Sequence, residues 1–224
     1  MSKPTILFSH GFGIRKDNLG LFTYFSKKLD KLGYKTVLFD YYDYNEETKE
    51  VFTTPFSEHA KVLQKQINNI RDASENIVIV AQSQGSLIPT LCDVEGVLKV
   101  IGISPFFLTD RKAVEDRYNS RPGSTTDFNS ISRRLHSDGK VTVIPPEYWT
   151  ERFNTNQYDL YNKLGSKLPL TLIYGNKDGL TQSADLDKIS NAKLIELEGD
   201  HDFTGEYKVD LYKTVLSEIT NYQE

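Results

Sequence analysis

Cysteine occurs once in 224 residues, as Cys92, so no intramolecular disulfide can form and a multi-thiolate zinc site is excluded. Whatever chemistry the chain performs must come from oxygen and nitrogen groups. Long apolar runs are also missing. The longest, Ile77–Ala81, is far short of the ~20 residues that cross a bilayer, and no membrane span is expected. The N-terminal residues run directly into Thr5–Ser9 without the apolar core and small-residue cleavage site of a secretory signal, which makes the cytoplasm the expected location. Excess positive charge is lacking too. Lys and Arg number 27 against 31 Asp and Glu, a net charge of −4, which gives a nucleic-acid backbone no footprint, and no nucleic-acid partner is expected. What is present is ordinary for a folded protein: 38% hydrophobic and 12% aromatic residues, with both signs of charge interspersed, exclude a disordered chain. The length suits a single domain over residues 1–224, with a core large enough to need no metal or disulfide.

Apolar patterning predicts strands alternating with helices. Thr5–Ser9 reads as a buried strand that ends in a glycine-rich loop, His10-Gly11-Phe12-Gly13. Leu21, Phe22, Phe25, Leu29 and Leu32 recur at helical spacing, with Asp17-Asn18 as the expected N-cap and Gly33 at the C-terminal end. Lys35–Phe39 is a second strand, and Ala60, Leu63, Ile67 and Ile70 mark a helix that starts near Ser57. Asn76–Ala81 shows no polar alternation, as expected of a central parallel strand covered on both faces. A helix is expected from about Gln84, shortened or kinked at Pro89. Val97–Ser104, Leu168–Tyr174 and Ala192–Leu197 supply further strands, before a last helix carrying Leu211, Val215, Ile219 and Tyr222. The expected fold is an α/β three-layer sandwich around a mostly parallel, doubly wound sheet of about six strands. Residues 105–167 break this rhythm, with turns at Arg121-Pro122-Gly123 and Pro145-Pro146 and a short strand at Lys140–Ile144. They read as an insertion with structure of its own, a lid or cap.

The most informative motif follows the central strand. In Ala81-x-Ser83-x-Gly85, small residues flank a serine on a sharp strand-to-helix turn, where neighbouring elements must pass close by. Ala81 stands where this pattern more often has glycine.

With this context the chain resembles the α/β-hydrolase family of serine hydrolases, including small-lidded carboxylesterases and lipases, over nearly its whole length. His10-Gly11-Phe12-Gly13 resembles the family's oxyanion loop. Asp178, in Tyr174-Gly-Asn-Lys-Asp-Gly179, is similar to the family's acid, and His201, in Glu198-Gly-Asp-His-Asp-Phe203, to its base. Their order, Ser then Asp then His, is the family's. The roles make chemical sense, because a serine hydroxyl needs a neutral histidine to accept its proton, and that histidine needs a fixed partner. The resemblance implies a catalytic Ser83, His201 and Asp178, with backbone N–H groups of Phe12 and Gln84 as the oxyanion hole. It implies no cofactor and no metal. The activity it points to is hydrolysis of small or medium acyl esters. Thioesterase, peptidase or acyltransferase activity with the same residues is an alternative, as is a non-catalytic binding protein of the same fold.

Asp110 is a second candidate acid. His59 and His136 read as solvent-facing or structural, and His10 as a loop-shaping residue or a plain turn residue. Asp200 and Asp202 flank His201, but adjacent residues cannot easily converge on one ion. In the insertion, Phe106, Phe107, Tyr148, Trp149 and Phe153 suit an apolar substrate pocket, with Phe106, Phe107 and Trp149 its expected lining, or equally the packing of the lid. Six of the chain's arginines also lie there: Arg111, Arg117, Arg121, Arg133, Arg134 and Arg152. They are expected either to bind an anionic part of a substrate or to pair with Asp110, Glu115, Asp116 and Glu151. The sequence leaves the oligomeric state open.

Overall fold

A computed structural model describes residues 3–73, 76–107, 110–136 and 138–221. Along the chain run β1 (Thr5–Ser9), α1 (Leu21–Lys31), β2 (Thr36–Leu38), β3 (Asp43–Asn45), β4 (Glu50–Phe52), α2 (Phe56–Asp72), β5 (Ile77–Gln82), β6 (Val97–Ile103), α3 (Arg111–Asn119), β7 (Ser132–Leu135), β8 (Val141–Ile144), α4 (Pro146–Asn154), α5 (Gln157–Gly165), β9 (Leu170–Gly175), β10 (Lys193–Leu197) and α6 (Tyr207–Thr220). Six strands form one sheet in the order β10-β9-β6-β5-β1-β2, each neighbouring pair parallel.

The apolar strands serve two cores at once. On β5, Ile77, Ile79 and Ala81 face the core shared with α2 and α5, while Val78 and Val80 face the one shared with α1 and α6. That two-sided burial is why Ile77–Ala81 shows no polar alternation. From β1 the chain runs out to the sheet edge at β2 and later returns to β5 on the opposite side of β1. The C-terminal ends of β1 and β5 therefore flank the topological switch point, where open parallel sheets leave a crevice.

A second sheet was not legible in the sequence. Its order is β3-β4-β8-β7, with β4 parallel to β8 and the other pairs antiparallel. It joins residues 43–52 to the segment from Pro105 to Lys167. Only β8 matches an expected strand. Asp43–Asn45 and Ser132–Leu135 carry too few apolar residues to announce strands, and pairing with distant partners defines them.

Three local expectations are corrected. Asp17-Asn18 does not cap α1: the N-cap is Gly20, at φ +86°, with no side-chain bond to the helix. The apolar stripe of α1 stops at Leu29, and Leu32 is exposed. After Ser83 there is no α-helix but two short 3₁₀ turns, Ser83–Ser86 and Ile88–Leu91. Pro89, without an amide hydrogen, sits in the second and blocks a continuous helical ladder. Gly33 does end α1 at φ +78°, donating to the Asp30 carbonyl. Tyr222 lies outside the described residues. Among the described residues, no helix is long and apolar enough to cross a membrane.

Candidate active site

Ser83 leaves β5 at φ +52°, a left-handed conformation that costs a non-glycine residue of order 1–3 kcal/mol and is kept only where surrounding structure enforces it. The enforcement is local and steric. A Cβ at position 85 would collide with the carbonyl oxygens of Ser9 and His10, and one at position 11 would lie 2.6 Å from the Gln82 Oε1 and 3.3 Å from the Ser83 Cβ. Glycine at both places lets the loop after β1 run directly beside Ser83.

Two residues from distant strand ends extend a chain of hydrogen bonds from the Ser83 hydroxyl. His201 Nε2 lies 3.0 Å from Ser83 Oγ, and His201 Nδ1 lies 2.8 Å from Asp178 Oδ2. The His201 backbone is held from two strands: its carbonyl accepts from the Ser104 hydroxyl at 2.7 Å and from Gln82 Nε2 at 3.2 Å. Asp178 is buried and accepts from the Leu180 amide at 3.0 Å and the Thr181 hydroxyl at 2.8 Å. Burial pushes its pKa up, but the His201 bond and charge, with those two donors, outweigh it and hold the carboxyl below its usual range. An ionised Asp178 accepting from Nδ1 favours the His201 tautomer that carries its proton there and leaves Nε2 free to accept from Ser83. Asp110 is used differently: its carboxylate caps α3 by accepting from the Ala113 amide.

The loop carrying Phe12 is braced from below. The Gly11 amide donates to Asn18 Oδ1 at 3.2 Å, a role the sequence reading missed. Buried His10 accepts from the Tyr41 amide at Nε2, 3.0 Å, so its Nδ1 carries the proton and donates to the Gly11 carbonyl at 2.9 Å. Burial lowers the His10 pKa to about 4, which keeps the ring neutral. This is the loop-shaping role.

Gln84 sends its side chain inward. Its Oε1 accepts from the Tyr148 hydroxyl at 2.6 Å, and its Nε2 lies 3.2 Å from His59 Nδ1 and 3.4 Å from the Tyr42 hydroxyl. His59 is fully buried, so the solvent-facing alternative is excluded and the structural one describes it. No sequence signal pointed to Tyr42 or Tyr148 as partners of the residue after Ser83.

A cavity of about 830 Å³ opens over Ser83 and His201, with Phe12, Phe106 and Phe107 in its lining. Trp149, expected to line it, does not. It is 1% exposed, stacks on Phe153 and donates from Nε1 to the Ser132 hydroxyl at 3.1 Å. A large aromatic in a segment with its own sheet and helices serves that segment's core. His136 lines the cavity from β7's end, half-buried, with Nε2 2.7 Å from the Thr142 hydroxyl. Among the described residues, no three His, Cys, Asp or Glu side chains group as a metal site.

The architecture is that of the α/β-hydrolases. Solved structures align with the chain almost end to end at low identity. A structure described under the metagenome-derived lipolytic enzymes LipS and LipT matches with a TM-score of 0.69 at 13% identity, over 98% of this chain and 95% of that one. Est1E from Butyrivibrio proteoclasticus, in a structure with ferulic acid bound, matches with a TM-score of 0.69 at 15% identity, over 97% of this chain and 90% of that one. A thioesterase domain from the curacin biosynthetic pathway matches with a TM-score of 0.64 at 16% identity, over 97% and 91% of the two chains. No protein-family model matches the sequence, and no curated protein matches it. At these identities the likeness establishes the fold, and the chemistry has to be argued from the site.

Proposed function

We propose that this protein is a serine hydrolase acting on carboxylic esters, with Ser83 as nucleophile, His201 as general base and then acid, and Asp178 as the group that orients His201. The observation that carries the reading is the continuous hydrogen-bonded chain from Ser83 Oγ through His201 to Asp178. It stands at the switch point of a parallel sheet, beside an open cavity. Ser83 Oγ attacks the ester carbonyl carbon as its proton passes to His201 Nε2. The tetrahedral oxyanion is received by the Phe12 and Gln84 amides. His201 returns the proton to the leaving alkoxide, giving an acyl-enzyme, and a water activated by the same nitrogen releases the acid. Phe106 and Phe107 give the acyl or aryl portion an apolar wall. In this reading residues 105–167 form a lid over the site within a single domain. The esterases, lipases and thioesterase among the structural neighbours agree with it.

The test is labelling by a fluorophosphonate probe together with turnover of short p-nitrophenyl esters. Wild type should label and hydrolyse, and Ser83→Ala should do neither. Ester hydrolysis by Ser83→Ala at the wild-type rate would sink the assignment. A parallel series of acyl-thioesters and aminoacyl amides ranks thioesterase and peptidase activity against esterase activity.

A further inference from the structure

Residues 105–167 contribute four arginines, beside aromatic and apolar residues, to the wall of the cavity that opens over Ser83 and His201. Arg117 on α3, Arg121 in the turn that follows, Arg134 on β7 and Arg152 on α4 all line it. Three separate elements have turned arginines toward one space, although their backbones lie far apart in sequence. β7 shows the selection directly. Arg133 projects to the other side and pairs with Glu50, while its neighbour Arg134 lines the cavity. Alternation along the strand places them on opposite faces.

Three acids of the same segment are engaged elsewhere. Asp110 caps α3, Asp116 pairs with Lys112 at 3.2 Å, and Glu151 accepts from the Ser57 amide and hydroxyl. Among the described residues, no carboxylate oxygen comes within 4.0 Å of a guanidinium nitrogen of Arg117, Arg121 or Arg134. Two aspartates do share the cavity lining, Asp138 and Asp202, and Asp138 is held by Lys140 at 2.9 Å. The buried Nε of Arg134 has no hydrogen-bond partner. Burial first, then the charge of Arg134, push the Arg117 and Arg121 guanidinium groups below their usual range. Half-buried like charges with no carboxylate in ion-pair reach are unfavourable and cannot shed their protons, so an anion entering the cavity is stabilised by Arg117, Arg121 and Arg134 together.

We propose that Arg117, Arg121 and Arg134 form a subsite for a carboxylate or phosphate group carried by the substrate away from the bond that is cleaved. The inference rests on the hydrolase reading of Ser83 and names its substrate class: acidic esters, such as monoesters of short dicarboxylic acids or esters bearing a phosphate. The planar, multiply donating guanidinium suits both oxyanions. Phe106 and Phe107 then flank the apolar chain between the anion and the scissile carbonyl.

The experiment compares kcat/KM for the p-nitrophenyl monoester of glutaric acid with that for an uncharged branched ester of the same length. Wild type should prefer the acidic ester by roughly tenfold or more, the scale of charge-assisted hydrogen bonds. The ratio should fall toward one in Arg121→Ala/Arg134→Ala and stay at the wild-type value in Arg133→Ala, whose side chain faces away. Equal treatment of the two esters by wild type, together with no binding of inorganic phosphate, would overturn the proposal without any variant having to fold. So would a ratio that survives loss of both arginines. Calorimetric binding of glutarate and of inorganic phosphate, in separate titrations, distinguishes the two anions and needs no turnover. Binding of neither removes the subsite even if fluorophosphonate still labels Ser83. Binding of either, with no labelling, leaves the subsite standing and removes the hydrolase reading.

Discussion

The Ser9 hydroxyl at the end of β1 donates to the Gly85 carbonyl at 2.8 Å, tying the first strand of the chain to the turn that presents Ser83. The bond is made possible by the missing side chain at position 85, whose Cβ would overlap the Ser9 and His10 carbonyl oxygens. Gly85→Ala should therefore separate β1 from the turn, and the loop carrying Phe12 with it. We expect loss of fluorophosphonate labelling together with a lowered Tm. Wild-type labelling kinetics in this variant would show that the close approach is not required.

Asp178 is buried against His201 and sets which ring nitrogen bears the proton. Asp178→Asn keeps the shape but offers the wrong hydrogen-bonding partner to one tautomer of His201. A fall in kcat of roughly 10³–10⁴-fold is expected, with KM for short esters changing far less. Asp110→Asn, at the cap of α3, should leave kcat near wild type. A larger loss in the Asp110 variant than in the Asp178 variant would reverse the assignment of the acid.

Stability should fall on mild acidification. His10, His59 and His136 are held neutral by burial, with pKa values lowered from 6.5 to about 4, about 3 and about 4. Each takes up a proton more readily when unfolded, so unfolding becomes easier as pH drops below 6.5, and the loss continues down to the folded-state values. Glu218 adds a second window. Burial alone would raise its pKa, but hydrogen bonds from Lys193, Lys99 and Thr171 bring it from 4.5 to about 2, so its stabilising contribution is present above 4.5 and disappears toward 2. Urea midpoints should decline from pH 7 to 5 with a slope that His59→Asn reduces. A flat profile over that range would contradict neutral buried histidines.

Glu218 also holds a charge in the interior: Lys99 Nζ lies 2.6 Å from it, and both side chains are under 10% exposed. Glu218→Gln strands that ammonium. The expected cost is about 3–5 kcal/mol at neutral pH by chemical denaturation, and Lys99→Met/Glu218→Leu should recover most of it. An unchanged midpoint for Glu218→Gln would show that Lys99 is solvated.

Trp149 packs the lid rather than the pocket, at the centre of an aromatic cluster with Tyr118, Phe128, Tyr148 and Phe153. Trp149→Phe loses the bond to Ser132 and some packing, a destabilisation of about 1–3 kcal/mol. The KM for short neutral esters should move by less than about twofold. A large change in KM with no change in Tm would restore the pocket role.

Local pattern decided much of this protein. The apolar runs of β1, β5, β6 and β9 could only be strands buried on both faces, and small residues around Ser83 marked a tight turn, because both follow from sterics and hydrophobicity within a few residues. The order of Ser83, Asp178 and His201 along the chain pointed to the groups that could meet. Their separation, 118 residues between Ser83 and His201, is bridged only by the sheet, whose strand order brings the ends together. The second sheet, the burial of Trp149 and His59, and the convergence of arginines from α3, β7 and α4 on one cavity were decided by tertiary structure alone. They depend on non-local pairing and on which face of each element is turned inward, and a polar strand of four residues carries no hydrophobic signal that could announce either.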